Sequence, residues 1–188
     1  MSILVPEDLI VMVRDRGELW MGSILGVEPL ASSNIMINNI RVAFNATAGG
    51  MTAGLLTTYI MLFNGLFLGA IAALVGQSGL AFPFWAFVFP HGALELPAIF
   101  LAGGAGFLLA RAIVFPGIYR RVDALKRYGL QAVQLVYGIV PLLIIAGVIE
   151  GFFSPNPAIP APVKYATGTI LLIGLLAYFN RGHHSPIE

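Results

Sequence analysis

The chain has 188 residues, of which 58% are hydrophobic and only 10% are charged, and its mean hydropathy is +0.88. Soluble domains carry about 25% charged residues, so a soluble fold of this size could not bury so much apolar surface. The chain has no basic tract that could bind nucleic acid, so no nucleic-acid partner is expected, and the lack of cysteine excludes disulfide bonds and thiolate metal sites. The composition therefore predicts an integral membrane protein.

The N-terminal part is the most polar. A helix over about residues 6–20 would mix apolar side chains with Arg14 and Arg16, as in helices that lie on a membrane surface. Residues 32–45 are rich in asparagine and, with Arg41, are predicted to start the first span at the membrane interface. The predicted division of the chain is an N-terminal cytoplasmic or interfacial segment at 1–41, a helical transmembrane domain at 42–181 and a short tail at 182–188.

The first apolar block, residues 43–78, carries no charge. As one helix it would extend about 54 Å, against a hydrocarbon core of about 30 Å. We expect either two segments, with the weak point at Asn64-Gly65, or one helix that protrudes from the bilayer.

The second apolar block, residues 80–116, contains several prolines, each of which removes a backbone donor and clashes with the preceding turn. Its first half is therefore predicted to be broken or re-entrant. A regular helix is expected from Leu96 or Pro97 to about Val114, and Pro116 closes the block.

The remaining segments are an amphipathic stretch, an apolar block, a loop and a last span. Residues 118–129 place basic side chains away from an apolar face and are predicted to lie at the interface. Residues 130–153 form an apolar block with a single charge, Glu150, and Pro141 can kink it. A proline-rich loop follows, and residues 165–180 form the last span.

The basic residues predict the orientation in the membrane. Lysine and arginine are concentrated before the first block, in the segment around residue 120 and after the last span, at positions Arg14, Arg16, Arg41, Arg120, Arg121, Lys126, Arg127 and Arg181. The positive-inside rule then places both termini and the 118–128 loop in the cytoplasm. We predict an all-α, polytopic protein of the plasma membrane, with broken or re-entrant helices and four net crossings in five to six helical pieces.

Four ionisable residues lie within the apolar blocks: His91, Glu95, Arg111 and Glu150. Each is costly near the bilayer centre unless it is paired or hydrated, so each is a candidate functional residue. Arg111 lies close to Pro116 and can extend its guanidinium to the cytoplasmic interface. The other three are predicted to meet in the outer half of the membrane, since His91 and Glu95 are four residues apart on one helical face.

This cluster has two interpretations. An imidazole and two carboxylates can bind a divalent metal such as zinc and leave a position for water, which makes His91, Glu95 and Glu150 candidate metal ligands. Alternatively, the same three residues and Asn64, at a similar depth, form a hydrogen-bonded polar network that holds broken helices together, with a glutamate that can be neutral. The network is the favoured interpretation. His183 and His184, near the C-terminus, are expected to be exposed to solvent.

Small residues are spaced for close helix packing in three pairs. They can act within one subunit, which is favoured for any single pair, or between two subunits, and a homodimer is expected. The pairs are Gly50 and Gly54, Gly65 and Gly69, and Ala102 and Gly106.

Long motifs resemble a known family. FNGLFLGA at 63–70, FPHGALELPAIFLAGGAGFLLA at 89–110 and IAGVIEGFFSP at 145–155, together with NNIRVAF at 38–44, resemble the stage II sporulation protein M family of bacterial and archaeal membrane proteins. The resemblance covers about residues 7–180, and many relatives look longer at the N-terminus. It implies that the polar positions Asn64, His91, Glu95 and Glu150 belong to the family pattern. It also implies a membrane complex, because the namesake in spore formers assembles with peptidoglycan-degrading enzymes.

Three functions follow from these features. A membrane scaffold or complex subunit, with other membrane or cell-envelope proteins as partners, is favoured, mainly by the resemblance. A transporter or channel for a small solute or ion is the first alternative, because transporters place ionisable groups at helix breaks. An intramembrane metal-dependent hydrolase is the second. The chain has no zinc-protease HExxH helix, no phosphate-binding loop and no nucleophile elbow, so an enzyme is the less expected outcome.

Overall fold

The computed structural model describes residues 4–181, so His183 and His184 lie outside the described residues. Within that range the chain is all α-helical, as predicted, and four helices are long and apolar enough to cross a membrane: α3, α4, α5 and α6, with the last turns of the α5 span extending to Phe153. The helices are α1 (Glu7–Arg14), α2 (Glu28–Ala48), α3 (Leu55–Gln77), α4 (Ala81–Val114), α5 (Arg121–Val148) and α6 (Ala161–Arg181).

The break in the first apolar block lies at Gly54, not at Asn64-Gly65. A short 3₁₀ helix, Gly49–Thr52, follows α2, and Ala53 and Gly54 then have left-handed φ angles of 56° and 85°. Glycine adopts this conformation without a steric penalty, so the chain reverses direction here. Asn64 does not break α3, because its side-chain amide donates to the Ile60 carbonyl of the same helix at 2.8 Å.

The second apolar block forms one continuous helix, so the predicted break or re-entrant turn in its first half is wrong. Pro83 lies in the first turn of α4, where the backbone N–H has no partner within the helix. Pro90 and Pro97 each remove a single bond from a 34-residue helix that is packed against its neighbours. Membrane helices tolerate such prolines where adjacent helices support them. The helix ends just before Pro116, as expected.

Helix α2 belongs to the bundle and crosses the predicted boundary at residue 41/42. The Ser32 hydroxyl donates to the Gly147 carbonyl at 2.8 Å, near the end of α5. At its other end, Thr47 Oγ1 lies 3.3 Å from the Ala102 carbonyl oxygen in the second half of α4. The helix therefore packs alongside α4 and runs in the same direction, although it is not one of the four helices that are long and apolar enough to cross a membrane.

The N-terminal segment lies at the end of the bundle where α3 finishes and α4 starts. Val13 is fully buried with Leu74, Val75 and Phe84, and the Trp20 ring lies 5.9 Å from that of Phe84. The basic segment between α4 and α5 is at the opposite end. The N-terminal segment and this basic segment thus lie at opposite ends of the bundle and not at the common end that was predicted, because α2 runs along α4 before α3 returns. α1 also ends at Arg14, short of the expected helix to residue 20.

Three further segments have different boundaries from those expected. From Arg121 onward, the predicted interfacial stretch at 118–129 and the apolar block at 130–153 join in one helix, α5, which continues through Pro141 to Val148. The last span is α6, Ala161–Arg181, slightly longer than predicted. It runs in the same direction as α4, since the Tyr165 hydroxyl donates to the Phe82 carbonyl at 3.0 Å and Leu175 packs against Leu94.

Glycines allow α2 to approach its neighbours at backbone distance. A Cβ on Gly50 would overlap the Gly106 carbonyl oxygen, and a Cβ on Gly151 would overlap the Ser32 side chain. Ala102 is fully buried among other alanines of α2 and α4. These small residues pack within one subunit. Gly54 does so as well, since a Cβ added to it would contact the Ala110 side chain. The pair Gly65 and Gly69 instead faces open space, with no atom within 4 Å of an added Cβ.

Candidate functional site

His91 and Glu95 lie one turn apart on α4, immediately after Pro90. The i, i+4 spacing places both side chains on one face of the helix. His91 is buried, with only 5% of its surface exposed, and Glu95 is partly buried. The Phe87 ring meets the imidazole edge-on, with centroids 5.3 Å apart. The imidazole is therefore held in a packed environment within a membrane-spanning helix.

Glu150 comes from a π-helical turn, Ile149–Phe153, at the end of α5. Such turns are rare, and they occur frequently at functional sites. The Ser154 backbone N–H closes the turn by donating to the Ile149 carbonyl at 2.8 Å, and Pro155 then prevents the helix from continuing. Gly151 within the turn allows Ser32 of α2 to contact the backbone, which fixes the turn against the bundle.

The structure brings His91, Glu95 and Glu150 together, as the sequence predicts. One ligand atom from each residue can be chosen so that all three lie within 4.8 Å of one another. The His91 Nε2 and Glu150 Oε1 atoms are 3.8 Å apart, and Glu150 is 16% exposed. The cluster thus joins α4 to the end of α5 at a site that is mostly shielded from solvent.

Ser154 is a site residue that the sequence analysis missed. It is fully buried, and its hydroxyl lies 3.1 Å from His91 Nδ1, the ring nitrogen opposite the Glu150 side. Its carbonyl oxygen accepts a hydrogen bond of 2.6 Å from Lys164 Nζ of α6. Nothing in the residue pattern distinguished it, because its position depends on the π turn that precedes it.

Two of the singled-out polar residues lie apart from the cluster. Asn64 bonds within α3, and among residues 4–181 no hydrogen bond joins it to the other three. Arg111 is exposed near the end of α4, and its guanidinium lies 5.3 Å from the Tyr128 ring centroid. This position agrees with the expectation that Arg111 reaches towards the interface.

The chemistry of the three ligands fits a small divalent cation. Zinc takes imidazole nitrogen and carboxylate oxygen at about 2.0–2.2 Å, which requires ligand atoms about 3.3 Å apart in a tetrahedral site. The ligand atoms lie within 4.8 Å of one another, so ion binding would draw them closer together. Two ionised carboxylates carry two negative charges, which a divalent ion would balance. With Nε2 as the metal-facing nitrogen, Ser154 would orient the imidazole through Nδ1.

Comparison with known proteins identifies the family. A family model described as stage II sporulation protein M matches residues 16–155, well over half of the chain. The chain is also 26% identical over 127 residues to an uncharacterised protein of Methanocaldococcus jannaschii, a match that covers 66% of this chain and 71% of that protein. No solved structure matches. The resemblance drawn from the motifs is confirmed: this multi-pass membrane protein belongs to the stage II sporulation protein M family.

Proposed function

We propose that the chain is a membrane scaffold or complex subunit whose helix bundle is held together by a divalent cation, with zinc the best fit, bound by His91, Glu95 and Glu150. The observation that carries the proposal is the convergence of three ligand atoms to within 4.8 Å in a bundle of apolar helices. Ionisable residues in such surroundings are retained for a function or paired with one another.

The cation would stabilise the bundle by joining two helical elements. His91 and Glu95 belong to α4, and Glu150 belongs to the π turn after α5. The Ser154 carbonyl extends the same group of contacts to Lys164 at the start of α6. A single ion would therefore fix the relative positions of α4, α5 and α6. A rigid bundle with short connections suits a subunit that contacts its partners within the membrane.

The cation itself can be tested by its presence in the purified protein. Elemental mass spectrometry of the wild type should find about one divalent metal per chain, and His91→Ala should lose it. Asn64→Ala is a matched control, because Asn64 is a polar residue of a membrane helix outside the cluster, and it should retain the metal. Wild-type protein free of metal after purification without chelators would contradict the cation proposal and leave the hydrogen-bonded network.

Replacing Ser154 tests the orientation of the imidazole. Ser154→Ala removes the hydroxyl that lies 3.1 Å from His91 Nδ1 and is expected to weaken metal affinity by about 10- to 100-fold, as loss of an outer-shell partner typically does. Ser78→Ala is the control, since that hydroxyl bonds only the Leu74 carbonyl of its own helix. Competition with a chromogenic chelator gives both affinities. Equal affinities for the wild type and Ser154→Ala would show that Ser154 does not orient the ligand.

A transporter or channel is the second candidate, and the π turn favours it. A π turn can rearrange to an ordinary helical turn, which would move Glu150 relative to His91 and change the access of an ion to the site. Zinc flux into vesicles that contain the purified protein separates the two functions. If the ion is purely structural, zinc flux should not exceed that of empty vesicles. Zinc flux that is present with the wild type and lost with Glu95→Gln would establish transport.

A further inference from the structure

The outward face of α2 carries a line of polar side chains. Asn34, Asn38, Arg41 and Asn45, called here the α2 stripe, are all exposed. At about 100° per residue they fall within an arc of about 60° on the helix surface. Ile37 and Phe44 border the stripe on its Arg41 side and are 51% and 49% exposed. The stripe is therefore a narrow polar band with an apolar border.

The α2 stripe lies at the depth of the apolar middle of the bundle. Its helix is fixed by Ser32, which bonds Gly147, and by Thr47, which lies beside Ala102. Between these contacts, Ile40 and Phe44 line a groove with residues 136–143 of α5. Neither α4 from 96 to 110 nor α5 from 130 to 149 has a charged residue. Arg41 is therefore level with the hydrocarbon core.

The side chains of the α2 stripe have few partners in their own subunit. Within residues 4–181, Asn34, Arg41 and Asn45 make no side-chain hydrogen bond or ion pair. The Asn38 amide nitrogen lies 3.5 Å from Asn39 Oδ1, which leaves the Asn38 carbonyl oxygen open. An arginine near the bilayer centre is too deep to reach the interface easily, and lipid chains offer it no acceptor. Another protein surface must cover this face.

We infer that the α2 stripe of a second copy of this chain covers it, about a twofold axis normal to the membrane. An asparagine amide both donates and accepts, so identical amides can pair with each other. Measured around the helix from Asn34, Asn45 lies at about +20°, while Asn38 and Arg41 lie at the edges, at about +40° and −20°.

The twofold axis explains how the arginine is accommodated. It brings the two copies of Asn34 together near the centre of the interface, and likewise the two copies of Asn45. It also places the Arg41 edge of one helix opposite the Asn38 edge of the other. Each guanidinium can then donate to an Asn38 carbonyl oxygen, and the two arginines stay on opposite sides of the axis. Interhelical hydrogen bonds of this kind stabilise helix association in membranes. This interface is distinct from the exposed pair Gly65 and Gly69 on α3.

Cysteine cross-linking tests the interface directly, because the natural chain has no cysteine. Asn34→Cys and Asn45→Cys would each be purified, reconstituted in phospholipid vesicles at high dilution and oxidised. We expect both to give a disulfide-linked dimer of twice the 20.0 kDa chain mass. Leu62→Cys is the control: it lies on α3 near the Met61–Gly103 contact, at a depth similar to that of Asn45, and is 61% exposed. It should remain monomeric.

A second variant keeps the inference falsifiable if a cysteine lies at an unfavourable angle. The double replacement Asn34→Leu with Asn45→Leu should weaken self-association at least about fivefold, measured by energy transfer between labelled copies on dilution in vesicles. Its thermal unfolding should match that of the wild type, because both side chains are exposed and neither makes a hydrogen bond or ion pair within its own subunit. The inference would be overturned if neither Asn34→Cys nor Asn45→Cys formed a disulfide-linked dimer, or if Leu62→Cys formed as much dimer as they do. It would also be overturned if, in native membranes, the cysteine variants were cross-linked only to a different protein.

Discussion

Gly106→Val is expected to yield no stably folded protein. At Gly106, α2, α3 and α4 meet at backbone distance: an added Cβ would overlap the Ala46 carbonyl oxygen and lie 2.6 Å from Thr57 Oγ1. The Thr57 hydroxyl also donates to the Ala46 carbonyl at 2.7 Å, and the valine would disrupt that bond. Overpacking typically costs about 1–3 kcal/mol. We expect a cost at or above the upper end, because the valine would meet a backbone carbonyl on one side and the buried Thr57 side chain on the other.

Gly104→Val provides the control from the same helix. A Cβ on Gly104 meets no atom within 4 Å, so this variant should unfold within a few degrees of the wild type. Both proteins can be compared by size-exclusion chromatography and thermal unfolding in detergent. If Gly106→Val also unfolded at the wild-type temperature, the close approach of the three helices would be incorrect.

Glu150→Ala should lower the unfolding temperature in detergent by about 2–12 °C, corresponding to about 1–3 kcal/mol. The carboxylate lies 3.8 Å from His91 Nε2, and its removal leaves the buried imidazole without that neighbour and abolishes one metal ligand. An unchanged unfolding temperature would rule out a stabilising role for the cluster in either interpretation.

Two further replacements give this experiment its specificity. Glu18→Ala changes an exposed glutamate near the N-terminus and should have almost no effect. Glu150→Gln keeps the shape and a hydrogen-bonding amide but removes the charge. Stability close to that of the wild type for Glu150→Gln would favour a neutral hydrogen-bonded network, whereas a loss equal to that of Glu150→Ala would favour a bound cation.

The sequence predicted the cluster because its members are conspicuous in apolar surroundings. His91, Glu95 and Glu150 are ionisable residues within apolar blocks, and helical spacing with chain direction was enough to bring them together. Ser154 was missed because a serine beside two prolines looks like an ordinary loop residue. Its role depends on the π turn, and a π turn has no composition or periodicity that distinguishes it in a sequence.

The helix boundaries were harder to predict because local residue preferences compete with packing. Asn64-Gly65 looked like a break, but the asparagine satisfies its amide within α3, and the real reversal uses Gly54. The prolines of α4 are compatible with a continuous helix because neighbouring helices support it. α2 was assigned to the interface because its amides lower its hydropathy. Only its contacts with α4 and α5 show that it passes through the bundle.

The sequence separation within the site has a consequence for biosynthesis. His91 and Ser154 are 63 residues apart, and Glu150 lies almost as far from His91. At about 5–20 residues per second, His91 is synthesised roughly 3–13 s before Ser154. During this interval two ionisable side chains of α4 must be kept from bare lipid. The insertion machinery, or a bound ion that arrives early, would have to shelter them until α5 is synthesised.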